Sequence, residues 1–572
     1  MRFQFVLALC ALVGCGTVTA KHVADAGEDA PAAVCTAGAT SCGSDNALYQ
    51  CEPDGLQEAK VEDCQFGCST DHCNQCQSNT TFCSGDDLVT CSASGSITNP
   101  MACPFGCQND ACNACKPSTS YCSGSTAVTC GADGQPGAMH DCGAAGCNGG
   151  VCNSCAPNTT SCQGDTLVVC NGAGTVASTT ACALGCSTTG ATHCKALVPS
   201  FGVPAPSGNL PALSITADST LDITGCANLD VLLTIGTSTT AVPASQVSSI
   251  AQAGGPPICV VRYGAISIPD PYTLTVVNSS SAGHGLSLEG TGDLNLGGKI
   301  VFVNAAPGPS PGQDVGTIGT NASSKLMASG GGGGGAARAG GVGGDCMCGT
   351  QGDYSGGAGG PAITTLATIL TGGSVGGGVS DGTTFYGAGG SGGGALHLVS
   401  LTKVSFAATA VVNLNGGAGT GVGLGPGSWT AGGGGSGGTL VVEAPVVSIS
   451  ERAIAVANGG GGAAGDDYTK AMGGTLLHLH YNGQPGQLST TRAAGGDIPN
   501  VSTGDGGYEA NGATSPSANG QPSDPGAATY DGGGGGGSSG FIVLHARTLA
   551  NVMIAFGAVI SPTPVTGTVS AQ

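Results

Sequence analysis

Cysteine is the residue type with the most chemistry in this chain, 30 of its 572 residues, and its spacing is regular. The pattern C-x6-C-x(7–8)-C-x(11–12)-C-x(3–4)-C-x(4–7)-C occurs four times. The first copy holds Cys35, Cys42, Cys51, Cys64, Cys68 and Cys73; the second holds Cys76, Cys83, Cys91, Cys103, Cys107 and Cys112. The third holds Cys115, Cys122, Cys130, Cys142, Cys147 and Cys152; the fourth holds Cys155, Cys162, Cys170, Cys182, Cys186 and Cys194. Such sets build either disulfide frameworks or thiolate metal sites. The C-x2-C pairs Cys73/Cys76, Cys112/Cys115 and Cys152/Cys155 have zinc-ligand spacing, yet each straddles the boundary between two copies. Exported thiols meet oxidant before metal, so the expectation is disulfides within each copy, with their pairing left open.

Other candidates are sparse. His478 and His480 lie two apart within Leu476–Tyr481, so on a strand both face away from Leu477 and Leu479. Two imidazoles on one face are weak metal candidates without a third ligand, and outward polar alternation explains them more simply. Cys346-Met347-Cys348 could form a soft metal site or join a disulfide, while Cys226 and Cys259 are a possible bridge. Glu443, Glu451, Asp466, Asp467, Asp497 and Asp505 are scattered, and Arg452, Arg492 and Arg547 are isolated. They read as solvated loop charges, so no catalytic residue, metal or cofactor is assigned.

The elements that carry these residues follow from composition. Lys and Arg number 14 against 35 Asp and Glu, a net charge of −21, with no basic cluster past the N-terminus. That excludes nucleic acid as a partner, since a polyanion needs a basic face. Residues 1–14 read as a signal peptide with an apolar run from Phe5 to Val13. Leu12-Val13-Gly14-Cys15 resembles the lipobox of bacterial lipoproteins, which implies lipidation of Cys15 and a membrane partner through that anchor. Gly16 in place of Asp points to the outer membrane or cell surface; cleavage after Ala20, giving a secreted protein, is the alternative. Residues 15–34 then form a flexible acidic tether. Cysteine modules occupy 35–75, 76–114, 115–154 and 155–195, each too short and too poor in aromatics to hold together without bridges.

A Pro-rich linker, 196–212, leads to a Gly-rich region at 213–562 and a tail at 563–572. One unit is written three times: a Gly-rich lead-in, then short apolar strands, at 387–417, 432–462 and 533–562. Strands with near period-2 alternation recur elsewhere, as at Ile266–Ile268, Leu294–Leu296 and Lys299–Val303, and no stretch has a helical period. Repeats that bury their apolar face only by stacking make solenoids, so the expected fold is all-β, a parallel β-helix behind four disulfide-rich modules. A β-sandwich is the alternative. The Gly tracts, among 107 glycines in all, are either flexible loops or segments packed backbone to backbone where no side chain fits. Lead-in, strand and closing Asn-Gly-Gly, behind cysteine modules, resemble the Gly-rich, cysteine-repeat surface lipoproteins of Gram-negative bacteria. The strand portions look like a pectin-lyase-type right-handed β-helix. That resemblance carries no established activity. The expected function is structural or adhesive, with polysaccharide or extracellular matrix as partner; the alternative is a β-helical polysaccharide-degrading enzyme.

Overall fold

The computed structural model describes residues 34–279, 284–303, 316–320, 326–345, 355–363, 368–380, 385–425, 428–464, 482–496 and 533–572. Among them the protein is all-β, and helical structure is confined to three-residue 3₁₀ turns. The chain divides into two compact units, Met1–Ser161 with Val168–Thr179, and Cys162–Leu167 with Thr180–Gln572.

The first module shows how the cysteine spacing works. Strands Thr40–Cys42, Ala47–Cys51 and Glu58–Asp63 form an antiparallel sheet, and the hairpin Cys68–Ser69/His72–Cys73 follows. Bridges join Cys35 to Cys51, Cys42 to Cys68 and Cys64 to Cys73. The same pairing, first to third, second to fifth and fourth to sixth, recurs as Cys76–Cys91, Cys83–Cys107 and Cys103–Cys112. It recurs again as Cys115–Cys130, Cys122–Cys147 and Cys142–Cys152, and as Cys155–Cys170, Cys162–Cys186 and Cys182–Cys194. Every cysteine of the C-x2-C pairs is thereby consumed inside its own module, which removes the zinc alternative.

Successive modules meet at a repeated joint. The turn after the middle strand places Gly95 at φ 70° and Gly134 at φ 69°, a left-handed conformation that glycine adopts without strain. The Gly95 carbonyl accepts from the N–H groups of Gln75 and Cys76, and that of Gly134 accepts from Ala114 and Cys115. The Asn after the sixth cysteine of the first two modules completes the joint: Asn74 Nδ2 donates to Phe66 O (3.0 Å) and Asn113 Nδ2 to Phe105 O (2.9 Å). Both carboxamides press against the glycine, where a Cβ would collide with them.

Beyond the modules three sheets of seven, six and eight strands carry the apolar periodicity. The chain visits them in a fixed order. Ile258–Tyr263 lies in the first sheet, Ile266–Ile268 in the second and Thr273–Val277 in the third. Gly285–Gly290, Leu294–Leu296 and Lys299–Val303 make the next circuit. The three repeat copies supply three further circuits in parallel register, with Leu396 opposite Leu440 and Leu440 opposite Ile542. Antiparallel pairing, which a sandwich needs throughout, is confined in these sheets to strands before Ile258 and their partners.

Because side chains alternate along a strand, every second column of each sheet points inward in every circuit. Val261, Leu288, Leu398, Val442 and Leu544 stack in one such column and belong to a single core with Ile266, Leu294 and Val404. Each fully buried Leu or Ile contributes roughly 1.5–3 kcal/mol.

The Gly tracts lie between the end of a third-sheet strand and the start of a first-sheet strand, as with 414–425 and 428–438, and with 457–464, 482–496 and 533–540. They form an ordered hydrogen-bonded lattice. In the tract 433–438, Gly433 and Ser436 donate to Gly377 and Ser374; Gly434 and Gly437 donate to Gly535 and Ser538; Gly435 and Gly438 donate to Gly417 and Leu414. Residues three apart thus address one neighbour, the periodicity of an extended threefold helix that has no internal hydrogen bonds. Further tracts donate to its carbonyls: Gly390 and Gly393 to those of Gly433 and Ser436, Gly334 to that of Gly434, and Gly460 to that of Gly435. A Cβ at Gly433 would collide with the carbonyl of Gly332, and one at Gly434 with that of Gly460. Backbone packs on backbone here, the second of the two readings of these tracts.

Candidate functional site

Inside the apolar strands of the first sheet, the outward column is not uniformly apolar. Arg262 lies opposite Glu289, Glu289 opposite Val399, Val399 opposite Glu443, and Glu443 opposite His545. The neighbouring column runs Val260, Ser287, His397, Val441. These side chains would meet solvent if the sheet face were open. Instead the segment 197–204 covers it: Val203 packs with Ile258, Val260, Ala395 and Val441, and the Phe201 ring stands edge-on to His397 at 5.4 Å between centroids. Leu197–Val198 is held there by antiparallel pairing with Ser570–Ala571. The start of the Pro-rich stretch 196–212 is therefore packed against the sheet.

Burial forces these polar groups to satisfy one another. Arg262 donates from Nε to Glu289 Oε2 (2.9 Å) and from a terminal nitrogen to Ser248 Oγ (3.0 Å). Ser287 Oγ donates to Glu289 Oε1 (3.2 Å) and lies 3.0 Å from His397 Nδ1. Nε2 of His397 is 3.0 Å from Glu443 Oε2, and Nδ1 of His545 is 3.2 Å from Glu443 Oε1. Ser200 closes the network, donating from its backbone N–H and its hydroxyl to the two Glu443 oxygens, each at 2.7 Å.

The two carboxylates sit in opposite electrostatic situations. At Glu289 burial dominates and pushes the carboxyl up, with Arg262 and His397 opposing. At Glu443 burial also pushes up, but hydrogen bonds from His397, His545 and Ser200 outweigh it and hold the group well below the usual carboxylate range. Four contacts to one carboxylate are enough to keep it ionised inside the protein.

Ser287, His397 and Glu443 have the residue types of a nucleophile, a base and an orienting acid. Their surroundings do not fit that use: Ser287 and His397 are 0% exposed, and the Ser287 hydroxyl is committed to Glu289. What the geometry does is mechanical. It pins the Ser200 turn to the sheet and seals the face.

Glu443, read from sequence as a solvated loop charge, is the centre of this network and 1% exposed. Arg547 pairs with Asp165 at 2.6 Å, while Glu451, Arg452 and Arg492 are exposed. Cys226 and Cys259 are disulfide-bonded. Cys15, Cys346, Cys348, Asp466, Asp467, His478, His480, Asp497 and Asp505 lie outside the described residues. Among those described, no group of three His, Cys, Asp or Glu is placed to hold a metal ion.

Sequence reasoning missed Ser200, Arg262, Ser287, Glu289, His397 and His545. A usable signal was present: with the repeat copies aligned, Val399, Glu443 and His545 fall at one offset and His397 two before it. No family model matches the chain, and no similarity to a curated protein or to a solved structure was found.

Proposed function

We propose that this chain is an exported surface protein, lipid-anchored through Cys15, in which disulfide modules present a parallel β-helix for a structural or adhesive role. The observation that supports it most is the bridging of all 24 module cysteines in one repeated pairing, which requires an oxidising compartment. The recurring three-sheet circuit supports the β-helix reading; the partner proposed is polysaccharide or extracellular matrix. Two arms test this. Metabolic labelling with a fatty acid should mark the wild type and not Cys15→Ala, and protease added to intact cells should reach the modules. Absence of both label and surface exposure would discard the proposal. The alternative, a β-helical polysaccharide-degrading enzyme, predicts release of reducing or unsaturated ends from a polysaccharide panel; retention on the polymer without product favours adhesion.

A further inference from the structure

Where the third sheet meets the glycine lattice, a cleft of about 490 Å³ opens at the surface. Its side-chain lining is Phe302, Ser391, Asn413, Asn415, Gln487 and Leu488, completed by Pro485 and glycine backbone. The volume lies within the range of small-ligand sites, about 300–1,000 Å³. None of these side chains is ionisable, so the site fits a neutral ligand; ions would enter without a counter-charge.

The polar groups fall into two sets. Asn415 and Asn458 are fully engaged in holding the 485–489 segment: Asn415 Nδ2 donates to Gly486 O (2.7 Å), and Asn458 Nδ2 donates to Gln487 O (2.8 Å) and Ser489 O (2.9 Å). Asn415 Oδ1 in turn accepts from the Asn458 backbone N–H at 2.7 Å. That fixes the wall before any ligand arrives, which lowers the ordering cost of binding. Among the described residues, Asn413 Nδ2, the Ser391 hydroxyl and Gln487 Oε1 have no protein partner, although Asn413 Oδ1 accepts from Asn415 N at 3.1 Å. Donor, donor–acceptor and acceptor are thus left over around one space. Beside them the half-buried Phe302 ring, with the Gly394 backbone laid against it, supplies a flat apolar surface, and Leu488 and Pro485 form an exposed apolar rim.

A ring carrying hydroxyls on its edge and C–H groups on its faces matches both halves of this lining. We propose that the cleft is a binding site for a short segment of neutral saccharide. This rests on the reading of the protein as a polysaccharide-binding surface protein and assigns the place of contact.

The test uses the whole exported chain, titrated calorimetrically with neutral gluco-, manno- and xylo-oligosaccharides and with acidic oligogalacturonates, alongside retention on the parent polymers. Asn413→Asp keeps the acceptor for Asn415 N–H while removing the donor and adding a charge. Ser391→Ala removes only an exposed hydroxyl. Binding of a neutral oligosaccharide, weakened about tenfold by Asn413→Asp and about threefold by Ser391→Ala with unchanged melting temperatures, supports the assignment. Neutral binding indifferent to both variants, or preference for the acidic oligomers, overturns it. Retention on a polymer with no oligosaccharide effect overturns the cleft and leaves the adhesive role standing. No polymer retained and no oligosaccharide bound removes both.

Discussion

In the cysteine modules a chain with little to bury is held by covalent bonds, whereas in the glycine lattice the backbone itself is the packed interior. Each module closes loops of 9 to 26 residues with three bridges. Each bridge restricts the unfolded chain by about 3 kcal/mol. The lattice has no covalent staple among its described residues. Its tracts are held by hydrogen bonds to surrounding tracts, and the absence of side chains lets them approach. Glycine is the residue that loses most conformational freedom on folding, so the lattice must recover that cost through density of contact. A Cβ added in the modules at Gly85, Gly124 or Gly164 meets open space, whereas one added in the lattice at Gly433 or Gly434 meets backbone.

Reduction is the bluntest way to break this comparison. With all three bridges gone, a module loses about 9 kcal/mol of restriction on its unfolded state, more than a core of this size supplies. Full-length protein treated with dithiothreitol should be cut by protease within 35–195 while the parallel sheets stay protected. Equal digestion of both regions would mean that the sheets depend on the modules or on their own Cys226–Cys259 bridge, and removing that bridge alone by Cys226→Ala with Cys259→Ala separates the two.

A methyl group in two places sharpens it. Gly434→Ala puts a Cβ against the Gly460 carbonyl with backbone on all sides. Such overpacking costs about 3 kcal/mol where nothing can move aside. Gly164→Ala in the fourth module meets no atom within 4 Å and suffers only its φ of 60°. The left-handed conformation costs about 1 kcal/mol for a residue with a Cβ. Urea midpoints compare the two, and equal shifts would show the lattice to be looser than its geometry.

Glu443 adds a pH dependence that neither region shares. Its carboxyl is held below the ordinary value of 4.5, so the folded protein binds fewer protons there than the unfolded chain. The stability it contributes is present above pH 4.5 and is lost as pH falls below that value. Glu289, pushed up by burial, works in the opposite sense, contributing below its ordinary value and losing that contribution as pH rises. Glu443→Gln should lose about 2 kcal/mol at neutral pH, the worth of hydrogen bonds to a buried charge, and flatten the fall in stability on acidification. An unchanged acid slope in the variant would move the acid sensitivity elsewhere.

How much of this was legible depended on range. Leu396, Leu440 and Ile542 sit at one offset of a repeat, and period-2 alternation put them on an inward face without any tertiary knowledge. The Glu443 network was not legible, because Ser200 is 243 residues from Glu443 and Ser287 is 110 from His397. Polar residues alternating with Leu look like a solvent face until something covers them, and the covering segment is a proline-rich stretch with no pattern of its own. The glycine tracts stayed open for a related reason. High ordering cost is equally compatible with a loose loop and with a lattice, and only the arrangement of many tracts decides between them. Disulfide pairing was hidden as well, although one pairing repeated in all four modules shows that spacing does constrain it.

The smallest effect tests the joints. Asn74 reaches Phe66 O with its amide N–H while its carboxamide fills the space beside Gly95. Asn74→Ala removes the bond to Phe66 O and a long one to Ser78 Oγ (3.5 Å), a change worth about 1 kcal/mol. The bridges on either side, Cys64–Cys73 and Cys76–Cys91, stay intact, so each module should keep its own fold. What should change is the coupling between neighbours: amide exchange at Gln75 and Cys76, which both donate to Gly95 O, should quicken several-fold while the strand amides of both modules keep their protection. If exchange quickens throughout both modules instead, the joint is part of each module's own stability. The covalent region would then rest on packing as the lattice does, and the contrast between them would be one of degree.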